Sequence, residues 1–431
     1  MRSSPVALLP LGLFLAMFVG SGLYYQNQGV EFAFYQISAP VAIIPAIALA
    51  VLLAEGSLTR RLDDFVQGMG HNTIITMVLV YLLAGAFASV TKAIGGVDAA
   101  VALGLSVVPE WAVLPGLFIV SAGIATAMGT SMGTIAAVAP IALGVAEAAG
   151  LDLPIVMGAV IGGAMFGDNL SIISDTTIAA TRTQGCEMRD KFKLNFKLAL
   201  PAALITVALL VVAGDAESVE VPELTNGFLA LPYLLVFGLA LAGVNVLVVL
   251  FIGILAAGFT GFLLVPDYSF AVLSKDAYAG FTNMQEIMIL SMFIGGLGAL
   301  VQARGGLEYI CELVERLVPA RRRPAAAGEL GIASVVGLTN LATANNTVTI
   351  VLTGHVAKNL AQRYGVDPRR SASLMDIFAC VVQGFIPYGA QVLLAASIAK
   401  LSPLALVGSI YYCAALAVVA VISIAIGRPK H

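Results

Sequence analysis

Apolar stretches long enough to cross a bilayer recur from one end of this 431-residue chain to the other. A transmembrane helix needs about 20 predominantly apolar residues. Such stretches lie near 8–24, 36–54, 72–91, 113–127, 131–148, 154–181, 196–213, 227–242, 246–265, 285–303, 329–343, 345–360, 371–399 and 403–426. Only 11% of the residues are charged, against about 25% in a soluble protein. The sequence therefore predicts an all-α polytopic membrane protein and argues against a soluble enzyme, a disordered protein or a nucleic-acid-binding protein.

The first apolar stretch has two interpretations. Arg2 precedes it, as in a signal peptide. No small-residue cleavage site follows, and the pair Tyr24 and Tyr25 is typical of a membrane interface. We therefore interpret residues 1–30 as an N-terminal membrane helix.

The basic residues predict the orientation of the chain. With the N-terminus and Arg2 in the cytoplasm, they fall in cytoplasmic loops at 60–61, 182–197, 304–323 and 358–370 and in the C-terminal tail at 428–430. Of the 22 basic residues, only Lys92, Lys275 and Lys400 fall outside, as the positive-inside rule expects. The acidic stretch at 214–223 also falls outside. This topology requires 113–148 and 329–360 to enter and leave on one side, and 227–265 to cross an even number of times. We expect a bacterial inner-membrane protein with both termini in the cytoplasm.

The chain resembles itself at an offset of about 210–215 residues. Chance similarity among apolar segments is the alternative, but four matches occur in the same order. They pair 72–96 with 286–306, 127–134 with 342–349, 149–154 with 364–368 and 168–175 with 382–389. The loops after 96 and 306 fall on opposite sides, which predicts two inverted-topology repeats, each with a helical hairpin and a discontinuous helix. We divide the chain into repeat 1 (31–214), a connecting loop and helix (215–245) and repeat 2 (246–431).

The stretch 167–177 (GDNLSIISDTT) places many polar groups inside an apolar segment. Polar groups at membrane depth line a cavity or pair internally. Carboxylate, amide and hydroxyl oxygens suit an alkali cation, and a carboxylate also exchanges protons. The predicted cation and proton ligands here are Asp168, Asn169, Ser171, Ser174, Asp175, Thr176 and Thr177. Polar contacts between helices are the alternative.

Further candidates lie at the hairpin tips and at the second interrupted helix. The first tip adds Thr130, Ser131 and Thr134 to the cation ligands. The predicted wall of the substrate site comprises Asn345, Asn346, Thr347, Thr349, Asp376, Gln383, Tyr388 and Gln391. Asp376 is a functional candidate because it lies in an apolar segment, although pairing with an arginine of the preceding loop is the alternative.

At 167–177, with support from 129–134 and 376–391, the sequence resembles the NhaC family of sodium/proton antiporters. The resemblance covers nearly the whole chain. Typical members have a proline where Ile172 stands, and 181–190 marks a distinct subgroup. The resemblance implies an elevator-like motion of hairpins and broken helices against the other helices, and a homodimer.

These observations predict a secondary active transporter that exchanges Na⁺ for H⁺ by alternating access. Asp168 and Asp175 would bind Na⁺ and exchange protons. We expect Na⁺, H⁺ and membrane lipid as partners, no nucleic acid, no cofactor and no enzymatic activity. Na⁺-coupled transport or exchange of an amino acid or carboxylate is the alternative, because repeat 2 is rich in amides. A channel and an intramembrane enzyme fit less well, since no metal-ligand or paired-histidine motif occurs.

Overall fold

The computed structural model describes residues 3–30, 36–214, 226–317 and 324–427. These residues form α-helices and short 3₁₀-helices, and no strand occurs among them. Ten helical segments in this part of the chain are long and apolar enough to cross a membrane. The predicted all-α, multi-pass membrane architecture is therefore confirmed. The acidic residues of 215–223, together with Arg2 and the basic residues of 321–323 and 428–430, lie outside the described residues.

The helices follow one another with short connections. Those of the first half are α1 (Leu9–Asn27), α2 (Ala39–Ala42), α3 (Ile44–Leu53), α4 (Leu58–Met69), α5 (Asn72–Ala93), α6 (Gly96–Val107), α7 (Val113–Met128), α8 (Ser131–Ala149), α9 (Leu153–Leu170), α10 (Asp175–Gln184) and α11 (Met188–Ala213). Those of the second half are α12 (Leu231–Leu241), α13 (Val246–Leu264), α14 (Phe270–Asn283), α15 (Gln285–Ala303), α16 (Gly306–Leu317), α17 (Pro324–Thr343), α18 (Asn346–Tyr364), α19 (Pro368–Phe385), α20 (Ala390–Ala399), α21 (Pro403–Val407) and α22 (Tyr411–Ile426). Short 3₁₀-helices occupy Pro5–Leu8, Glu110–Ala112 and Gly227–Ala230.

Two helical hairpins turn at tips of matching design. Helix α7 ends at Gly129, whose φ of 73° is left-handed, and Thr130 then caps α8 by accepting from the Gly133 amide at 3.4 Å. In the second hairpin, Ala344 has a φ of 47°, and Asn345 caps α18 by accepting from the Val348 amide at 3.0 Å. A left-handed residue followed by a capped helix reverses the chain within two residues, which brings polar caps to both tips.

Two helices are broken in the middle. Helices α9 and α10 are separated by 171–174, where Ser171 and Ser174 have extended backbones. Helices α19 and α20 are separated by 386–389, a stretch that contains a proline. Each break frees carbonyl groups of the first half-helix and amide groups of the second. The two breaks therefore place backbone groups in the interior that can pair with side chains, as the Asn169 and Ser171 carbonyls do.

The first hairpin packs closely on the first broken helix. Helix α7 lies along α9, and a methyl group added to Gly167 would overlap the carbonyl oxygen of Ala122. A methyl group added to Gly163 would overlap the carbonyl oxygen of Phe118 in the same way. Small residues thus let the two backbones approach, and this contact fixes the hairpin tip beside the break.

The two halves share one order of elements. A long helix (α5 or α15), an adjoining short helix (α6 or α16), a hairpin (α7–α8 or α17–α18) and a broken helix (α9–α10 or α19–α20) follow in each half. The helix that precedes each of these sets packs on the long helix of the other half: α4 packs on α15, and α14 packs on α5. The inverted orientation of the halves, and the division at 31–214, 215–245 and 246–431, stay predictions.

The interpretation of the basic segments as loops is wrong for most of their length. Helix α11 begins at Met188, α16 fills most of 304–323, and only 365–367 separates α18 from α19. As a result Lys191 and Arg370 are buried side chains of helices. The flanking apolar residues draw these positions into the helical core, which charge alone did not indicate.

Candidate functional site

Asp168, in the last turn of α9, is a buried carboxylate held by hydroxyl groups. Its side chain accepts hydrogen bonds from Ser131 Oγ at 3.0 Å and from Ser174 Oγ at 2.5 Å. Ser131 begins α8 and Ser174 precedes α10, so the positive N-terminal ends of two helices lie nearby. No lysine, arginine or histidine of the described residues forms an ion pair with Asp168. In the described part of the chain, hydroxyl groups and not cationic side chains therefore hold this carboxylate.

Asp175, the first residue of α10, lies in a different environment. Its side chain is exposed. One carboxylate oxygen accepts from Thr347 Oγ1 at 2.7 Å and the other from the Thr176 amide at 3.0 Å. The Thr347 contact joins the first helix break to the second hairpin tip.

Asp168 and Asp175 line one cavity of about 250 Å³ between the two halves. Of the predicted site residues, it brings together Thr130, Ser131, Asp168, Asp175, Thr176, Asn345, Asn346, Thr347, Gln383 and Gln391. Helix α5 contributes Asn72, Thr73 and Thr76, which are not among the predicted site residues. The cavity is thus lined by carboxylates from the first half of the chain and by amides from the second half.

A chain of hydrogen bonds connects the second broken helix to Asp168. Gln383 Nε2 donates to Gln391 Oε1 at 3.0 Å, and Gln391 Nε2 donates to Ser131 Oγ at 3.1 Å. Ser131 in turn donates to Asp168. Gln383 Nε2 also donates to the Ala344 carbonyl at 2.9 Å, while its Oε1 is buried without a hydrogen-bond partner in the described part of the chain. The two glutamines of the second half therefore position Ser131 of the first half, and one acceptor, Gln383 Oε1, stays free in the described part of the chain.

A second buried polar cluster surrounds Lys191. Its Nζ lies 2.8 Å from Asp376 Oδ2, and the two side chains are 0% and 2% exposed. The same Nζ donates to Thr177 Oγ1 at 2.6 Å and to the Asn169 carbonyl at 3.2 Å. Asp376 thus pairs with a lysine of the first half of the chain, and not with an arginine of the preceding loop, which was the alternative that the sequence left open.

The other predicted residues do not line the cavity. Asn169 donates through its amide to Tyr412 Oη at 3.0 Å, and Thr177 donates to the Ser171 carbonyl at 2.8 Å. Thr134 donates to the Thr130 carbonyl of its own helix at 3.0 Å.

In repeat 2, buried hydroxyl groups bond to neighbouring parts of the fold. Thr349 donates to Asn340 Oδ1 at 3.2 Å, and Tyr388 donates to the Leu341 carbonyl at 2.6 Å. Asn346 accepts from the Asn340 amide at 3.1 Å. These groups hold the hairpins and breaks in place.

The residue most clearly missed by sequence reasoning is Lys191. It was assigned to a cytoplasmic basic segment. A signal was present, because Lys191 and Asn195 are four residues apart and share a helix face with Leu194 and Leu198. A basic residue on the apolar face of a helix indicates a buried partner.

A cation at Asp168 would rely on hydroxyl and amide oxygens more than on acids. No group of three or more His, Cys, Asp or Glu side chains able to hold a metal ion occurs among the described residues. Hydroxyl and carbonyl oxygens suit hard cations, and the break supplies both.

A sequence model described as the Na⁺/H⁺ antiporter family matches residues 6–214 and 223–428. The chain is 25% identical to a malate-2H⁺/Na⁺-lactate antiporter of Bacillus subtilis over 88% of this chain and 86% of that protein. It is 26% identical to a Na⁺/H⁺ antiporter NhaC of the same organism over 81% of this chain and 82% of that protein. It is 22% identical to an arginine/ornithine antiporter of Halobacterium salinarum over 82% of this chain and 79% of that protein.

Proposed function

The chain belongs to the Na⁺/H⁺ antiporter family, and from this premise we propose that it exchanges Na⁺ for H⁺ across the bacterial inner membrane. The family is one of antiporters, not of enzymes, and the protein is a multi-pass membrane protein. Asp168 carries the proposal, because it is a buried carboxylate on a cavity and lacks a cationic side chain among the described residues.

Na⁺ and H⁺ would compete for the Asp168 carboxylate. Ser131 and Ser174 donate to it, and a hydroxyl group can turn to offer its oxygen to a cation instead. With Na⁺ bound, these oxygens and the carboxylate would replace water around the ion. With a proton bound, the carboxyl group is neutral and the hydroxyl groups keep their hydrogen bonds. Both loaded forms are uncharged at this carboxylate, which favours movement through the membrane interior.

Asp175 would serve at the mouth of the cavity. Its exposed carboxylate and its contact with Thr347 suit a group that attracts a hydrated cation and releases it toward Asp168. A cavity of about 250 Å³ has room for Na⁺ and several waters, since one water occupies about 30 Å³ in the liquid.

Alternating access would arise from an elevator-like movement of the hairpins and broken helices. These elements pack on one another, as α7 on α9 and α17 on α19, and so form a candidate moving unit. Helices α4, α5, α13, α14 and α15 contact each other and would form the static part and the interface of a homodimer in lipid. The proposal includes cytoplasmic N- and C-termini.

Purified protein in proteoliposomes tests this function directly. With an imposed pH gradient, added Na⁺ is expected to collapse the gradient, and Li⁺ and K⁺ establish selectivity. Asp98→Asn, at an exposed residue of α6, is the matched control. A protein that never responds to Na⁺ alone would contradict the proposal.

Exchange coupled to a small organic solute is the second candidate. The free acceptor Gln383 Oε1 and the neighbouring amide of Gln391 suit the polar groups of an amino acid or carboxylate. Relatives named for malate and lactate or for arginine and ornithine make these the solutes to add. A Na⁺ response that requires one of them would favour this candidate.

A further inference from the structure

The ammonium group of Lys191 has a coordination shell made of oxygens. Its three contacts are Asp376 Oδ2 at 2.8 Å, Thr177 Oγ1 at 2.6 Å and the Asn169 carbonyl at 3.2 Å. They come from α19, α10 and the end of α9, so helices of both halves meet at one positive charge. A carboxylate, a hydroxyl and a carbonyl beside a helix break are the ligand types of an alkali-cation site in a transporter.

Two of the three oxygens of this shell have a hydrogen-bond donor besides the lysine. Asn195 Nδ2 donates to Asp376 Oδ2 at 2.7 Å and to the Asn169 carbonyl at 2.8 Å. Asn195 Oδ1 accepts from Ser373 Oγ at 2.6 Å, which fixes the amide orientation. Asn195 therefore fixes these two oxygens in addition to the lysine.

Stability alone is a weak explanation for this ion pair. Removing two charges from water is costly, and well-packed apolar residues are often as stabilising as a buried ion pair. Both partners here are almost fully buried. An apolar pair in place of Lys191 and Asp376 would not provide a positive charge surrounded by three oxygen ligands.

We propose that Lys191 is a covalently attached cation that fills a second monovalent-cation site, formed by Asp376, Thr177 and the Asn169 carbonyl. Of two buried aspartates near helix breaks, one then takes a mobile cation and the other is neutralised permanently. Removal of the lysine side chain opens the second site to Na⁺, K⁺ or NH₄⁺.

The test uses full-length protein in detergent and an Asp168→Asn parent, which removes the carboxylate proposed for transport. Lys191→Ala is added to that parent. Melting temperatures are measured in NaCl, KCl and NH₄Cl against choline chloride at equal ionic strength. We expect a saturable rise of several degrees in Lys191→Ala with at least one small cation, and no such rise in the parent, because a ligand that binds only the folded state stabilises it.

Lys191→Met is the matched control, since it removes the same charge but fills the space with an apolar chain. It should show no cation-specific rise, and Asp376→Asn added to Lys191→Ala should abolish the rise. If Lys191→Ala does not purify in choline, recovery of a monodisperse protein in a small-cation buffer is the same supporting result.

Equal melting temperatures of Lys191→Ala in all four salts, or its aggregation in every buffer, would overturn the proposal. Lys191 would then have only a structural role. The outcome is independent of the transport assignment. If the Asp168→Asn parent itself keeps a Na⁺ response, the proposed function is at fault, while the difference between Lys191→Ala and the parent still decides this inference.

Discussion

Asp168 and Asp376 are both buried aspartates on a half-helix that ends at a break, yet their surroundings differ. Asp168 is 8% exposed and receives two hydroxyl groups. Asp376 is 2% exposed and receives the Lys191 ammonium and the Asn195 amide. Of these two aspartates, Asp168 lines the cavity of about 250 Å³ and Asp376 does not. Two buried carboxylates of one fold can thus differ in whether a cationic side chain neutralises them, and we propose a transport role only for the one without such a partner.

Removing the charge at Asp168 should have the largest effect on transport. Asp168→Asn keeps the shape and one acceptor oxygen, so the fold is expected to persist while the Na⁺-dependent collapse of a pH gradient falls to the level of protein-free liposomes. The exposed control Asp98→Asn should keep the wild-type response. Full activity in Asp168→Asn would remove the distinction between the two aspartates.

Breaking the ion pair from one side should have the largest effect on stability. Lys191→Met leaves Asp376 charged and buried, and loss of one partner of a buried pair costs about 3–5 kcal/mol of unfolding free energy. Thermal melting in choline chloride measures this loss. The double variant Lys191→Met with Asp376→Asn should recover most of it, and a double variant as unstable as the single one would argue that packing alone matters.

Interrupting the chain of hydrogen bonds from Gln383 through Gln391 to Ser131 should weaken Na⁺ binding without abolishing it. Gln391→Leu removes the donor to Ser131 and the acceptor of Gln383, and leaving buried polar groups unpaired costs about 2 kcal/mol, or roughly 30-fold in apparent affinity. The concentration of Na⁺ that gives half-maximal collapse of the pH gradient is the readout. Gln67→Leu, at an exposed position of α4, should leave it unchanged.

The smallest expected effect comes from a single hydroxyl group. Ser131→Ala removes one of the two donors to Asp168, which is worth about 1 kcal/mol, or roughly fivefold in the same half-maximal Na⁺ concentration. Thr134→Val on the same helix removes a hydroxyl that bonds to its own backbone and should change it less than Ser131→Ala does. The reverse order would show that Thr134 is the ligand.

Much of the site could be predicted because polar residues are conspicuous in apolar segments. Asp168, Ser131 and Gln391 each interrupt such a segment, and the structure brings all three to one cavity. Lys191 could not be recognised in this way, because its neighbours Arg189 and Lys193 made the segment resemble a cytoplasmic loop. Only the packing of α11 against α9 and α19 turns one of these basic side chains inward.

The sequence by itself determined the membrane class, the family and most of the apolar helices, since hydropathy and local polar interruptions are properties of short segments. The tertiary structure alone decided which buried acid has a partner. Coulomb interactions depend on distances between side chains that are far apart in the chain, here Lys191 and Asp376 of opposite halves. That contact neutralises Asp376, while Asp168 faces the cavity with hydroxyl groups only.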